Sequence, residues 1–240
     1  MKKEELRIVF MGTPEFAVAS LQRLVEGGYN VVAVVTQPDK PVGRHQQQVQ
    51  ASPVKQYAEA HGLPVLQPVK MKDPVFVEQL AQYEADLQVV VAFRILPEIV
   101  WAMPRFGTFN VNAALLPQYR GAAPINWAVI NGETETGVTT FFLDKNIDTG
   151  RIIMQKHFSI PDDADVEYVY NGLMNLGADI ATETIDKMLE NDGNIDSIAQ
   201  SNFMQFKEDE LLPAPKIFKE TCEIDWHLPV KRVYDFVRGL

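Results

Sequence analysis

The chain has 240 residues, 46% of them hydrophobic, which is enough to bury a substantial core in one or two domains. Its single cysteine, Cys222, excludes an intramolecular disulfide and a cysteine-based metal cluster. No apolar run reaches the roughly 20 residues that span a bilayer, and the amino terminus lacks a signal-peptide core. We expect a soluble cytoplasmic monomer with no membrane partner.

The formal net charge is −10, so the protein as a whole should repel nucleic acid, and any contact with RNA must be local. Candidate cations lie in and beyond one loop in the first third of the chain, namely Lys40, Arg44, Lys55, Lys70 and Lys72. They form either a local nucleic-acid contact or an ordinary set of solvated side chains, and the sequence leaves both interpretations open.

The first half of the chain alternates between short apolar runs and helical segments. A capping residue followed by proline in the first helical turn recurs three times, which predicts the starts of three helices. Val-rich runs without polar alternation are typical of strands covered on both faces. We therefore predict an α/β protein with a doubly wound, mostly parallel sheet. The predicted strands are 6–10, 31–35 and 87–92, and the predicted helices begin at Thr13-Pro14, Ser52-Pro53 and Asp73-Pro74.

The second half begins with two β-rich runs, 137–142 and 151–155, which predict a hairpin-like pair joined by a polar loop. A helical segment follows over 165–190, although Gly172 and Gly177 each weaken its continuity by roughly 1 kcal/mol. Residues 230–240 predict one more amphipathic helix.

Five sequence motifs occur along the chain in a characteristic order. They are Met11-Gly12-Thr13-Pro14-Glu15-Phe16-Ala17, Gln37-Pro38-Asp39-Lys40-Pro41, Ser52-Pro53-Val54-Lys55-Gln56, Arg120-Gly121-Ala122-Ala123-Pro124-Ile125 and Asp148-Thr149-Gly150. In this order they resemble the folate-dependent formyltransferase family, in particular its members that act on methionyl-tRNA. By this resemblance, the Arg-Gly-Ala-Ala-Pro-Ile and Ser-Pro-Val-Lys blocks distinguish these members from formyltransferases that act on glycinamide ribonucleotide or on amino sugars.

The resemblance implies formyl transfer from 10-formyltetrahydrofolate to the α-amine of initiator methionyl-tRNA, a reaction of translation initiation. It implies a Rossmann-like catalytic domain over 1–206, followed over 207–240 by a linker and the start of a C-terminal domain that is mostly absent. Residues 211–215 have a linker-like composition, in agreement with this division. NAD is not expected, because the first turn lacks the second and third glycines of the dinucleotide motif. No metal is expected either.

The predicted catalytic residues are Asn110, Asn112 and Asp148. Asn110 can donate its amide N–H to a tetrahedral oxyanion, and Asp148 can act through water as a base or orient a proton carrier. The family has histidine where Asn112 stands. An amide does not titrate near neutral pH, so Asn112 keeps a donor but loses the proton shuttle. Of the chain's four histidines, His157 is the least implausible substitute, although a structural role is expected even there.

Folate binding is implied for two segments. The first segment consists of Phe93, Arg94, Ile95 and Leu96, and the second consists of Ala114, Leu115, Leu116 and Pro117. Ala114 replaces a family serine, which removes at most one hydrogen bond worth about 0.5–1.5 kcal/mol. For Ile95 and Leu115 a purely core-filling role is an equal alternative.

Contacts with the aminoacyl-tRNA are implied for Phe16, beside the methionyl side chain, and for Arg44, in the long loop 41–48. An ordinary core phenylalanine and a merely flexible loop are the corresponding alternatives. Relatives usually carry glycine and lysines after Arg44, where this chain has His45 and glutamines, so tRNA binding should be weaker.

Two other functions stay open at this stage. A catalytically silent protein that keeps the folate and aminoacyl-tRNA pockets is favoured by Asn112 and Ala114. A formyltransferase for an amino sugar is disfavoured by the motifs typical of the tRNA-specific members.

Overall fold

The protein is described here by a computed structural model covering residues 1–46, 48–203 and 207–240. Its strands are β1 (Ile8–Gly12), β2 (Val31–Val35), β3 (Lys40–Val42), β4 (Gln48–Gln50), β5 (Val65–Leu66), β6 (Leu87–Val91), β7 (Thr108–Asn112), β8 (Glu135–Phe142) and β9 (Ile152–Ser159). Its α-helices are α1 (Glu15–Glu26), α2 (Pro53–Ala60), α3 (Pro74–Gln82), α4 (Glu98–Trp101), α5 (Pro124–Ile130), α6 (Val166–Glu190) and α7 (Val230–Arg238). None of the helices in the described ranges has the length and apolarity needed to cross a membrane.

Seven strands form one sheet in the order β5-β2-β1-β6-β7-β8-β9. Strands β5, β2, β1, β6 and β7 are parallel, whereas β8 runs antiparallel to β7 and β9 antiparallel to β8. The predicted mostly parallel sheet is confirmed, and so is the predicted pairing of the two β-rich runs around Asp148.

Both faces of the sheet are covered, because alternate residues of each strand enter different apolar clusters. Phe10 and Val91 pack with α1 and α6 on one face, which we call the α6 face. Met11 and Val90 pack on the other face with Leu80 of α3 and Val100 of α4, and we call this the α4 face. The continuous Val-rich runs of the sequence follow from this double coverage.

The predicted helix caps are confirmed at two of the three starts. The side chain of Ser52 accepts a hydrogen bond from Lys55 N–H, and that of Asp73 accepts one from Val75 N–H. The predicted Thr13 cap is wrong. Helix α1 begins at Glu15 after Pro14, and the Thr13 hydroxyl instead accepts a hydrogen bond from the backbone of Gln37, at 3.3 Å, beyond the end of β2.

Two further expectations differ from the structure. Helix α6 is continuous through both glycines, because at Gly172 the ring of Phe158 occupies the space of a side chain, while Gly177 lies against Val111 of the sheet. The loop after β2 is not without structure, because β3 and β4 pair into a hairpin of their own. Gln47 lies outside the described residues.

The C-terminal segment returns to the sheet domain. The backbone N–H of Tyr119 donates to Leu212 O at 2.7 Å, and Ala214 exchanges backbone bonds with Arg120 and Ala123 at 2.9 and 3.0 Å. The predicted helix at the end of the chain is α7, which packs on α5. The division after residue 206 stays a prediction, since Phe206 lies outside the described residues.

Candidate active site

Asn110 and Asn112 lie on the same face of β7, because they are two residues apart in a strand. Asn110 pairs with Val90 of β6, which belongs to the α4 face, whereas Val111 between the two asparagines is buried against α6. Both predicted catalytic amides therefore project from the last residues of β7 toward the α4 face. This is the carboxyl end of the parallel strands, where open α/β sheets bind their ligands.

The partner of Asn112 across the strands is Thr139 of β8. The Thr139 hydroxyl donates to Ala114 O at 2.6 Å and accepts hydrogen bonds from Leu116 N–H at 3.2 Å and from Gln155 Nε2 at 3.0 Å. A hydroxyl has one donor and two acceptor sites, so this group is fully used. Asn112 Nδ2 consequently finds no acceptor there, and it is buried without a hydrogen-bond partner among the described residues.

Thr139 and Gln155 are polar residues beside the candidate site that the sequence analysis did not single out. Together they fix the turn at 114–117, because Gln155 Nε2 also donates to Leu116 O at 2.8 Å. The turn contains a cis peptide bond between Leu116 and Pro117. Only the register between β7, β8 and β9 brings these two polar side chains to the turn, so the sequence carried no local signal for them.

The predicted folate residues of this turn differ in how far their side chains are exposed to solvent. Ala114 and Leu116 are buried, as is Pro117, and thus contribute to the core. Leu115 is half-buried and packs against Gly137, where a larger residue would collide with its side chain. The core-filling alternative therefore has support for Ala114 and Leu116 as well as for Leu115.

The second predicted folate segment follows β6, where Ala92 adopts a left-handed conformation with φ +48°. The guanidinium of Arg94 donates to the backbone carbonyls of Pro68 and Val69, so this side chain secures the loop to a neighbouring segment. Leu96 is buried in the cluster on the α4 face. Ile95, in contrast, is 71% exposed, which argues against the core-filling alternative for this residue.

Asp148 lies between β8 and β9 in a left-handed conformation, with φ +57°. Its carboxylate accepts a hydrogen bond from Gly121 N–H at 3.2 Å, which joins the Asp-Thr-Gly motif to the Arg-Gly-Ala-Ala-Pro motif. Burial raises the pKa of the Asp148 carboxyl above its ordinary value, and the hydrogen bond from Gly121 and the positive charge of Arg120 offset this only in part. A half-buried carboxylate with a raised pKa is suited to proton transfer.

The remaining predicted residues lie in different surroundings. Phe16 is buried, and its ring packs edge-on against Tyr170 with centroids 5.3 Å apart, which supports the core alternative. Arg44 is exposed in the β3–β4 hairpin.

Lys55 is not a free cation, because its ammonium binds Asp39 at 2.9 Å. His157 is paired with Glu135 at 2.9 Å, near the end of β8 that is distant from the Asp148 loop.

Known proteins resemble this chain in sequence over most of its length. Residues 6–185 match the model of the family described as formyl transferase. The methionyl-tRNA formyltransferase of Parabacteroides distasonis is 66% identical over 240 residues, which are 100% of this chain and 73% of the relative. The protein of the same name from Bacteroides fragilis is 63% identical, over 100% of this chain and 72% of the relative.

Solved structures show the same fold at low identity. The N-formyltransferase from Helicobacter canadensis, solved with folinic acid and dTDP-3-aminofucose, has a TM-score of 0.71 at 19% identity and covers 98% of this chain and 80% of its own. The phosphoribosylglycinamide formyltransferase from Streptococcus pneumoniae has a TM-score of 0.65 at 18% identity, over 77% of this chain and 99% of its own. On the match over residues 6–185 and the identity to its relatives, the chain belongs to the formyl transferase family.

Proposed function

We propose that this protein transfers a formyl group from 10-formyltetrahydrofolate to the α-amine of initiator methionyl-tRNA, a reaction of translation initiation. Relatives carrying the name methionyl-tRNA formyltransferase, 62–66% identical over the whole chain, support this assignment. The structural observation that carries it is the bond from Gly121 to the half-buried Asp148 carboxylate. It joins the Asp-Thr-Gly motif to the Arg-Gly-Ala-Ala-Pro motif, which are far apart in the sequence.

Each polar side chain of the site has a role that its chemistry allows. The amide of Asn110 donates to the oxygen that becomes negative when the amine attacks the formyl carbon. Asn112 Nδ2 has no partner among the described residues and is a second donor at the same edge. Asp148 removes the proton of the amine through a water molecule, a role favoured by its raised pKa. The bond from the formyl carbon to the folate nitrogen then breaks, and this proton passes through the same water to the departing nitrogen.

The site fits a folate because it combines apolar walls with an unsatisfied donor. In the proposed complex, one side of the folate is contacted by Phe93, Arg94, Ile95 and Leu96. The other side is contacted by the turn of Ala114, Leu115, Leu116 and Pro117, of which Leu115 is the most exposed member. In that complex the apolar members hold the ring system, and Asn112 Nδ2, which is buried without a described partner, donates to its polar edge. The bound folate supplies the formyl group, and the walls exclude water from it.

Recognition of the tRNA is assigned to the β3–β4 hairpin. Arg44 is exposed there, in a protein whose net charge otherwise repels RNA, so it can contact a phosphate. Phe16 is proposed to border the methionyl side chain, although its packing against Tyr170 supports a core role equally well.

A second candidate function is a silent homologue that binds both substrates without reacting them. The observation that favours it is Asn112, because the site then has no imidazole to carry the proton. An amino-sugar substrate has no comparable support, because the sugar formyltransferases resemble this chain in fold alone.

The deciding experiment is formylation of charged initiator tRNA by the wild type and by Asp148→Asn. We expect turnover by the wild type and a loss of about 10²–10⁴-fold in kcat for the variant, the usual contribution of a general acid or base. Asp144→Asn is the matched control, because Asp144 lies on the same loop and accepts hydrogen bonds from Asn146 N–H at 2.9 Å and Thr149 at 2.8 Å. An asparagine keeps an acceptor for both, so its activity should stay near that of the wild type.

Binding of both substrates without turnover by the wild type would select the silent homologue. Turnover restricted to a sugar amine would exclude both of these functions.

A further inference from the structure

Gln200 connects two loops of the site through a buried side-chain amide. It begins the 3-10 turn Gln200–Phe203 and is only 4% exposed. Its Nε2 donates to Asp148 O at 2.7 Å and to Gly150 O at 2.9 Å. Its Oε1 accepts from Arg120 Nη2 at 2.7 Å and from Nε at 3.2 Å. All donor and acceptor sites of the amide are therefore used.

The segment that carries Gln200 is itself fixed to the sheet. Ile198 and Ile152 of β9 exchange two backbone hydrogen bonds, both of 2.8 Å. The amide is thus presented from an ordered edge of the sheet, two residues away from this pairing.

The loop that Gln200 holds needs external support. Asp148 has φ +57°, a left-handed conformation that is strained for a residue with a Cβ and is stabilised by contacts from its surroundings. At Gly150 the backbone passes so close to Phe142 that a side chain would overlap its carbonyl. Gln200 binds the carbonyls of both residues, and so fixes the direction in which the Asp148 side chain leaves the loop.

We propose that Gln200 is a positioning residue for formyl transfer, which holds the Asp148 loop and the Arg120 guanidinium in one arrangement. This inference rests on the proposed function, because it acts through Asp148. Gln200 itself touches neither substrate nor a reacting atom. Its effect on the reaction comes from the place and direction of the Asp148 carboxylate.

Arg120 shares in this arrangement. The third nitrogen of the Arg120 guanidinium, Nη1, binds the exposed carboxylate of Glu208 at 3.1 Å. Arg120 thus has two described side-chain partners, of which Gln200 is buried and Glu208 is exposed. The Gly121 N–H that binds Asp148 belongs to the next residue of the chain. One amide therefore orders both sides of the hydrogen bond between Gly121 and Asp148.

The test compares Gln200→Leu and Gln200→Glu with the wild type. Leucine removes the donors and the acceptor at similar volume, whereas glutamate keeps an acceptor for Arg120 and loses the donors to the two carbonyls. Gln88→Leu is the matched control. Gln88 is a fully buried glutamine of β6 that accepts from Thr108 at 2.9 Å and has no described contact with the Asp148 loop.

We expect both Gln200 variants to lose about 10²-fold in kcat, the effect of a misplaced catalytic group, with each KM within about threefold of the wild type. The Gly121 amide should exchange its hydrogen faster in both variants, because its acceptor is no longer held. Gln88→Leu changes the melting temperature while kcat and Gly121 exchange stay near wild type.

Unchanged Gly121 exchange in Gln200→Leu overturns the proposal, and so does a loss of kcat no greater than that of Gln88→Leu. A wild type that binds both substrates without formylating tRNA refutes the proposed function instead. Even then the exchange of Gly121 decides whether Gln200 positions the loop, so the two failures are distinguishable.

Discussion

Replacing Asn112 with histidine tests the most unusual feature of the site. Asn112 cannot bond to Thr139, whose hydroxyl is already saturated by Ala114, Leu116 and Gln155. A histidine ring at this position would meet the same saturated hydroxyl and would keep a nitrogen free for proton transfer. We therefore expect Asn112→His to accelerate formyl transfer.

The size of the gain follows from what an amide cannot do. General acid–base catalysis contributes about 10²–10⁴-fold, which corresponds to about 2.7–5.4 kcal/mol of activation free energy. The orphaned Nδ2 of Asn112 carries a separate cost, since a buried donor without a partner destabilises a fold by about 1–3 kcal/mol. That second quantity affects the free energy of unfolding and not the barrier, so the two effects can be measured independently.

The rate is best measured in single-turnover formylation of charged initiator tRNA, with folate binding followed by calorimetry. Asn112→Gln is the control, because it enlarges the side chain without adding a group that titrates. A rate of Asn112→His equal to that of the wild type would refute the reasoning. A gain in Asn112→Gln as large as that in Asn112→His would show that size, and not titration, is responsible.

Three further outcomes are expected. The pKa of Asp148 is raised in the folded protein above its ordinary value of 3.8. Between these two pKa values the folded protein binds more protons than the unfolded chain. Ionisation of Asp148 therefore destabilises the fold at neutral pH. Asp148→Asn should therefore raise the melting temperature at pH 7, and this gain should shrink as the pH falls between the two pKa values of Asp148. An equal gain at every pH would contradict the prediction. Arg44→Ala should weaken tRNA binding and reduce the slope of log affinity against log salt by about 1, with folate affinity unchanged as the calorimetric control. Gly177→Ala should stabilise α6 by about 0.5–1 kcal/mol in urea unfolding, because the added Cβ meets Val111 at an ordinary 3.5 Å. Gly172→Ala, whose Cβ overlaps the ring of Phe158, should instead destabilise by about 1–3 kcal/mol, and equal effects of the two would refute the packing argument.

Local signals in the sequence predicted most of the sheet and its helices. The Val-rich runs became β2 and β6, and the caps at Ser52 and Asp73 begin α2 and α3 as expected. These features depend on residues close to one another in the chain. Thr13 shows where such signals fail, because its hydroxyl is used by Gln37 from the next strand, which no local pattern reveals.

The site was predictable only as far as its motifs reach. The sequence predicted Asp148 and the Arg-Gly-Ala-Ala-Pro loop separately, whereas the hydrogen bond from Gly121 that joins them is a tertiary contact. The sequence contains no local pattern that indicates the contacts of Thr139, Gln155 and Gln200, because an isolated Thr or Gln has many structural roles. Their function depends on strand register and on a segment that pairs with β9.

Helix α7 shows a limit of reading amphipathic patterns. Its sequence predicted an apolar face for burial, yet Val230 is 86% exposed while Asp235 and Arg238 are buried as an ion pair of 2.8 Å. Arg238 also donates to Ala164 O at 2.8 Å, so its charge is both paired and hydrogen-bonded. The ion pair lies within α7 itself, so the contact that ties this face to the rest of the protein is the bond from Arg238 to Ala164 O. The helix therefore docks through its polar residues, and hydrophobic periodicity alone predicts the wrong face.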